Sequence, residues 1–279
     1  MRSQWDSFLQ NLGEWHGSFT RFSPQGEQTE DTPTLVTLEG LNDNQQVHQV
    51  VRYLPPDAPS RDVVVDYDGT FNRSILFFEN GAFCQGSMQW GPYSTFGCES
   101  GLIDNDFGDG SRRLRMVILY GSTSQLQRVV LIREKFADSS VLERSPLTVE
   151  DLIGEWQGEA TTIYADLSNP TNFSSHLKVK RKDETHIEQS LAFGERKISS
   201  VARIEGNRLL FEQSDLPTQI MMLPDGASCC CPIKVGSGHN FTLEMGWLIQ
   251  PNIRQRLMRN YNEKGNWVSC TLVTEKKIG

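Results

Sequence analysis

The chain repeats itself. Leu12-Gly13-Glu14-Trp15-His16-Gly17 returns as Ile153-Gly154-Glu155-Trp156-Gln157-Gly158, an offset of 141 residues from Trp15 to Trp156. The same offset carries Arg113, Arg115, Tyr120, Leu131, Glu134 and Lys135 onto Arg254, Arg256, Tyr261, Leu272, Glu275 and Lys276. Between these blocks it drifts, as loop insertions and deletions require. His48 lies 138 before His186, and Gly81, Ala82, Cys84, Phe96, Glu99 and Gly101 lie 145 before Gly226, Ala227, Cys229, Phe241, Glu244 and Gly246. A collinear series that closes on its starting offset is a tandem duplication. Its boundary falls between about Ala137 and Pro146, giving halves 1–140 and 141–279.

Each half opens with a short helical signal. Trp5, Phe8, Leu9 and Leu12 share one helix face. Thr148-Val149-Glu150-Asp151 has the form of a capping box, with Leu147 and Leu152 placed as a hydrophobic staple. The remaining pattern is of strands: Asp62 to Asp66, Ile75 to Phe78, Leu114 to Tyr120, Arg128 to Ile132 and the alternating Leu177-Lys178-Val179-Lys180. Asn80-Gly81 and Asp225-Gly226 are two-residue hairpin signals of the type I′ kind. A half of this size, all short strands and hairpins, predicts an all-β fold of two antiparallel barrels in tandem, each with a short N-terminal helix. An eight-stranded barrel leaves room for one small ligand. A sandwich is the alternative, but a strand that starts with Gly-x-Trp across one barrel end favours the barrel, with Trp15 and Trp156 as structural plugs.

Composition narrows the function. Acidic residues outnumber basic ones 35 to 27, a net charge of -8, so no basic footprint for nucleic acid is present. No apolar run reaches the ~18 residues of a membrane span, and the start lacks the apolar core of a signal peptide; a cytoplasmic protein is expected. The six cysteines show no C-x-x-C spacing. Cys229-Cys230-Cys231 alternate between faces of an extended chain and do not converge on one ion, so no metal site is expected and they read as ordinary free thiols, small hydrophobes in or beside a strand. Three N-x-S/T triplets, at Asn72, Asn172 and Asn240, carry no weight without a secretory route. His48, His186 and His16 read as surface or locally bonded residues, and Asp104 with Asp106 as turn formers in a Gly/Asp-rich insertion.

At the first-strand Gly-x-Trp the sequence resembles the calycin (lipocalin-like) group. The second half adds Glu244-Met245-Gly246-Trp247-Leu248-Ile249-Gln250-Pro251-Asn252-Ile253-Arg254-Gln255-Arg256, which resembles the Glu-x-x-Trp-x-x-x-Pro-Asn-Leu-Arg-x-Arg stretch of the S/U-type phycobiliprotein lyases. The two-copy layout also resembles uncharacterised cyanobacterial double-barrel proteins related to them. The resemblance implies a cup able to hold a linear tetrapyrrole (bilin) and a phycobiliprotein subunit as partner. The first half keeps Glu99, Arg113 and Arg115 but lacks the Trp and the Pro-Asn, and the lyases are single barrels.

Arg254 and Arg256 share a strand face. Buried together, they need counter-charges: Glu244 neutralises one, and a ligand carboxylate is the expected partner of the other. Trp247, Phe241 and Tyr261 are candidate walls for a conjugated ligand, and Glu99, Arg113, Arg115 and Tyr120 form a candidate second site. A structural alternative places Arg256 over Trp156 and Arg115 over Trp15 as cation–π contacts. The chain shows no G-x-S-x-G, H-E-x-x-H, phosphate loop or dinucleotide fingerprint, so no catalytic residue is assigned and no cofactor is required. The expected function is binding of a small amphiphilic, carboxylate-bearing ligand such as a bilin, another pigment or a lipid. A chromophore lyase or chaperone, an isomerase or cyclase, and a non-binding pair of barrels stand as alternatives.

Overall fold

The computed structural model describes residues 2–106 and 110–279. The insertion read between Asp104 and Gly110 therefore lies partly outside the described residues, as does the Asp106 side chain. The molecule is all-β apart from short helical turns. The first half contributes β1 (Gly13–Phe22), β2 (Gln28–Leu41), β3 (Gln46–Tyr53), β4 (Arg61–Tyr67), β5 (Ile75–Phe77), β6 (Phe83–Gly86), β7 (Phe96–Ile103), β8 (Arg112–Tyr120) and β9 (Leu126–Phe136). They form one antiparallel sheet in the order β4-β3-β2-β1-β9-β8-β7-β6-β5, curled but open between β4 and β5. The second half contributes β10 (Gly154–Tyr164), β11 (Thr171–Arg181), β12 (His186–Phe193), β13 (Arg196–Glu205), β14 (Arg208–Phe211), β15 (Thr218–Met222), β16 (Ala227–Pro232), β17 (Phe241–Gln250), β18 (Ile253–Tyr261) and β19 (Trp267–Lys277). These ten close into a barrel, wider than one of eight strands.

The opening helices are α1 (Gln4–Phe8) and α2 (Val149–Leu152). Thr148 and Asp151 make the reciprocal capping box, and both staple residues, Leu147 and Leu152, are buried in the second barrel. In each half the tryptophan indole N–H donates to a carbonyl of the preceding turn, Trp15 to Asn11 and Trp156 to Leu152, both at 3.0 Å. Trp15 and Gly17 lie on the inner face of β1. A Cβ on Gly17 would sit 1.9 Å from the Arg133 carbonyl oxygen, so only glycine lets β1 and β9 pair there. The hairpin signals divide. Asp225 and Gly226 are both left-handed, at φ 60° and 68°, as type I′ requires. At Asn80-Gly81 only Gly81 is, at φ 87°, so that turn is not type I′.

At the open side of the first half the two edges are treated differently. The Gln4 side-chain amide donates to the Phe77 carbonyl (2.9 Å) and accepts from the Phe77 N–H (2.7 Å), completing β5 as a neighbouring strand would. Among the described residues nothing pairs with the β4 edge in this way, and Val63, Val64 and Val65 on it are exposed.

Strand alternation gives each sheet two apolar faces. The inner faces hold separate cores around Trp15 and Trp156. The outer faces of β7–β9 and β15–β19 meet in one shared core that includes Phe96, Tyr120, Leu131, Phe241, Trp247 and Tyr261. This seam obeys an approximate two-fold. Tyr120 Oη donates to the Pro232 carbonyl at 2.7 Å, and Tyr261 Oη to the Ser87 carbonyl at 2.8 Å. The Trp267 N–H donates to Met88 O and the Leu126 N–H to Ile233 O; the Trp90 N–H donates to Gly265 O and the Val235 N–H to Ser124 O. Each pair of contacts exchanges the repeat-related positions of the two halves, the signature of an isologous interface. Among the described residues no helix is long and apolar enough to cross a membrane.

Candidate functional site

Each half, the open sheet and the closed barrel alike, has an Arg/Glu cluster on its inner face. In the second, register sets Arg254 opposite Glu275 and Gly246 opposite Arg256. Arg256 Nε and Nη2 donate to Glu244 at 2.8 and 2.7 Å, and its Nη1 donates to Glu275 at 3.0 Å. Arg254 Nε donates to the same Glu275 at 2.8 Å. Burial would push the Glu275 carboxyl up, but Arg254 and Arg256 outweigh it and hold it below the ordinary range. Burial likewise opposes the charge on Arg256, yet Glu244 and Glu275 raise it well above its ordinary value. The second counter-charge assigned above to a ligand is therefore supplied by Glu275.

The first half reproduces this with one difference. Glu134 accepts from Arg113 Nε (2.7 Å), Arg115 Nε (3.0 Å) and Arg115 Nη2 (2.8 Å), and Glu99 accepts from Arg115 Nη1 (2.7 Å). Burial would raise the Glu134 carboxyl; Arg113 and Arg115 overcome it and hold it at about 2. Arg113 is less well served. Burial, more than Glu134 can offset, pushes its guanidinium down, and its buried Nη2 has no hydrogen-bond partner among the described residues.

The cation–π alternative holds with the arginines exchanged. Arg113, not Arg115, lies over Trp15 at 4.4 Å, and Arg254, not Arg256, lies over Trp156 at 4.9 Å. The first arginine of each Arg-x-Arg thus stacks on the tryptophan, while the second bonds both glutamates of its half.

The remaining candidates separate by face. Glu244, Arg254 and Arg256 point into the second barrel, whereas Phe241, Trp247 and Tyr261 point outward into the seam. Phe241 and Tyr261 stack at 4.7 Å with Phe96 edge-on to Tyr261 at 5.0 Å. Trp247 is wholly buried, donates to the Asp225 carbonyl (3.1 Å) and carries Arg112 over its ring at 5.1 Å. Tyr120 is likewise in the seam, apart from Glu99, Arg113 and Arg115. Glu134 and Glu275 complete the clusters; their signal was present in the repeat, where each lies 141 from the other alongside the arginines. His48 pairs with Asp66 (2.6 Å), His186 with Asp183 (3.0 Å) and His16 with Glu14 (2.7 Å), all exposed. Cys229 and Cys231 face the seam core and Cys230 the opposite side. Among the described residues no group of metal-ligating side chains is gathered.

Arg113 and Arg115 line a cavity of about 60 Å³ together with Asn11, Gln49, Gln85 and Glu99 and with apolar side chains such as Phe77. Gln85 and Glu99 also line a wider mouth of about 590 Å³ that reaches Phe96, Val117 and Leu119. The second barrel has a related mouth of about 750 Å³, with Cys230, Phe241 and Tyr261 where the first has Gln85, Phe96 and Tyr120. Its inner wall keeps water contact deeper in: Leu191, Ile220 and Met258 are half-buried, and Ile198 is 52% exposed.

Two family models divide the chain. Residues 1–139 match "Domain of unknown function (DUF3598), N-terminal", and residues 143–278 match "Biogenesis factor required for ATP synthase 1, C-terminal domain". No curated protein matches. A solved protein of unknown function from the DUF3598 family of Nostoc punctiforme PCC 73102 is 45% identical over 100% of both chains, with a TM-score of 0.92. An S-type phycobiliprotein lyase from Guillardia theta is 14% identical, covering 47% of this chain and 90% of its own, with a TM-score of 0.35. With full-length identity at that level and a superimposable fold, the chain belongs to the DUF3598 family.

Proposed function

We propose that the protein binds a small amphiphilic carboxylate, with the acid head in the polar cavity of the first barrel and the apolar body leaving through its mouth. The observation that carries this reading is the buried Arg113 Nη2, a guanidinium donor without a partner among the described residues, on a side chain that lines a small cavity sharing Gln85 and Glu99 with that mouth. A buried donor left unmade is costly, and a carboxylate satisfies it with a charge-assisted bond worth about 1.5–3 kcal/mol. A mouth of this size lies within the roughly 300–1,000 Å³ range of small-molecule sites. The second barrel, whose arginines are neutralised by its own glutamates, offers an apolar wall without an acid-specific floor. Bilins, with two propionates on a conjugated body, fit the same description as fatty acids.

Titration of the full chain with biliverdin, and with a fluorescent polyene fatty acid and its alcohol, tests this. The acid should bind saturably and about 10–100-fold more tightly than the alcohol, the ratio one such bond gives. Equal affinities for acid and alcohol, or no saturable binding of any probe, refute it. Covalent transfer of the bilin to a phycobiliprotein subunit would add lyase activity; a reconstitution without adduct removes that extension.

A second reading, assistance in assembling a protein complex, draws on the family model matched by residues 143–278 and on the uncovered β4 edge. An exposed edge with Val63, Val64 and Val65 can accept an extended segment as an added strand. Co-elution with ATP synthase subunits from the same source, lost in Val64→Pro, is the expected result. Co-elution that survives Val64→Pro excludes the edge as the contact.

A further inference from the structure

At the centre of the seam Arg259, on β18, is completely buried. Its Nη1 reaches the Ser74 carbonyl (3.3 Å) and Cys84 Sγ (3.6 Å), and its Nη2 the Gly86 and Ser87 carbonyls (both 3.2 Å). Its Nε donates to Tyr261 Oη at 2.7 Å, and the guanidinium stacks on Trp267 at 3.7 Å. Among the described residues none of these partners is a carboxylate. The four arginines of the barrel floors each bond a buried glutamate. Arg259 is as deeply buried and does not, although a buried cation without a counter-charge is strongly unfavourable.

The sulfur of Cys84, on β6 of the other half, is where donors converge. Besides Arg259 Nη1 it accepts from Ser100 Oγ at 3.6 Å, and two more cysteines share the same core, Cys98 on the neighbouring β7 and Cys270 opposite Arg259 on β19. A neutral thiol is a weak acceptor with a proton of its own to place. A buried sulfur receiving two donors, one of them cationic, has the surroundings of an anion. We propose that Cys84 is held as a thiolate at neutral pH and is the counter-ion of Arg259, so that an ion pair made of one residue from each half locks the seam.

Burial would push the Cys84 thiol up; the bonds from Cys270 and Cys98 and the Arg259 charge outweigh it and hold the group well below the ordinary thiol range. Its neighbours move the other way. The bond with Cys84, then burial, pushes Cys98 well up, and burial followed by Cys84 does the same to Cys270. The negative charge thus sits on the one sulfur of the three that accepts a hydrogen bond from the guanidinium. Tyr120, Tyr261, Cys229 and Cys231 are further titratable groups of this shared core.

The experiment is the ultraviolet thiolate band of the folded full chain near pH 6, where an ordinary thiol of pKa about 8.5 is almost wholly protonated. The native chain should show one thiolate equivalent more than Cys84→Ser, while Cys98→Ser keeps the band and Arg259→Gln loses it. If Cys84→Ser does not fold, acid titration of the native chain decides: the band should persist well below neutral pH and disappear as the fold opens. A native spectrum with no thiolate near pH 6, or a band equal in native and folded Cys84→Ser chains, overturns the proposal.

Discussion

Replacing Glu134 by glutamine removes the carboxylate that Arg113 and Arg115 share while keeping its size. Three charge-assisted bonds of 2.7, 3.0 and 2.8 Å are weakened or lost, leaving two buried guanidiniums with Glu99 alone. Breaking one partner out of a buried ion pair costs about 3–5 kcal/mol. A second route gives a similar figure. The Glu134 carboxyl is held at about 2 against an ordinary 4.5, a difference worth about 3 kcal/mol at about 1.4 kcal/mol per pH unit. At about 2–4 °C per kcal/mol for a unit of 150–250 residues, Glu134→Gln should melt about 10 °C below the native chain at pH 7. The sign with pH follows from the direction of the shift. A depressed carboxyl contributes in full above 4.5 and loses its contribution as pH falls from about 4.5 toward about 2. The gap between native and variant, followed by far-ultraviolet circular dichroism, should therefore narrow across that window. A gap below about 3 °C at pH 7, or one that stays constant on acidification, refutes the claim that Glu134 is the ionised hub of the first barrel.

Arg254→Gln removes the stack on Trp156 and the Nε bond to Glu275; it should cost about 3 kcal/mol by thermal melting and leave acid-probe binding in the first barrel unchanged. Tyr261→Phe strips the Ser87 carbonyl and the Arg259 Nε of a partner and should cost about 1–3 kcal/mol in denaturant unfolding. Gly17→Ala, with its Cβ directed at the Arg133 carbonyl, should force β1 from β9 and yield little folded protein, read as soluble yield.

The duplication, the helix caps and most strands were legible because each is written in local chemistry: a repeated Gly-x-Trp, a Thr three residues ahead of an Asp, alternating Leu and Val. The division of the candidate site was legible in principle. Trp247 follows Glu244 by three and Tyr261 follows Arg256 by five, odd steps that send side chains to opposite strand faces. What alternation does not give is cross-strand register. Glu275 is opposite Arg254 only because β18 and β19 pair as they do, so the internal counter-charge stayed hidden and an external one was expected. Nor does any local signal say that β4 and β5 fail to meet. Asn80-Gly81 was misread because the left-handed Gly81 alone suffices for the turn there.

The reciprocal seam, in which Tyr120 reaches Pro232 and Tyr261 reaches Ser87, has a consequence for how such a molecule can change. A surface that matches its own rotated image needs to be invented only once, and an unlinked barrel carrying it would assemble in pairs at a rate set by its abundance. Joining the copies in one polypeptide makes that encounter intramolecular, at an effective concentration that dilution does not reduce. Release from dilution also frees the halves from sameness: one can stay an unzipped sheet and the other a sealed tube, each supported by the other's back.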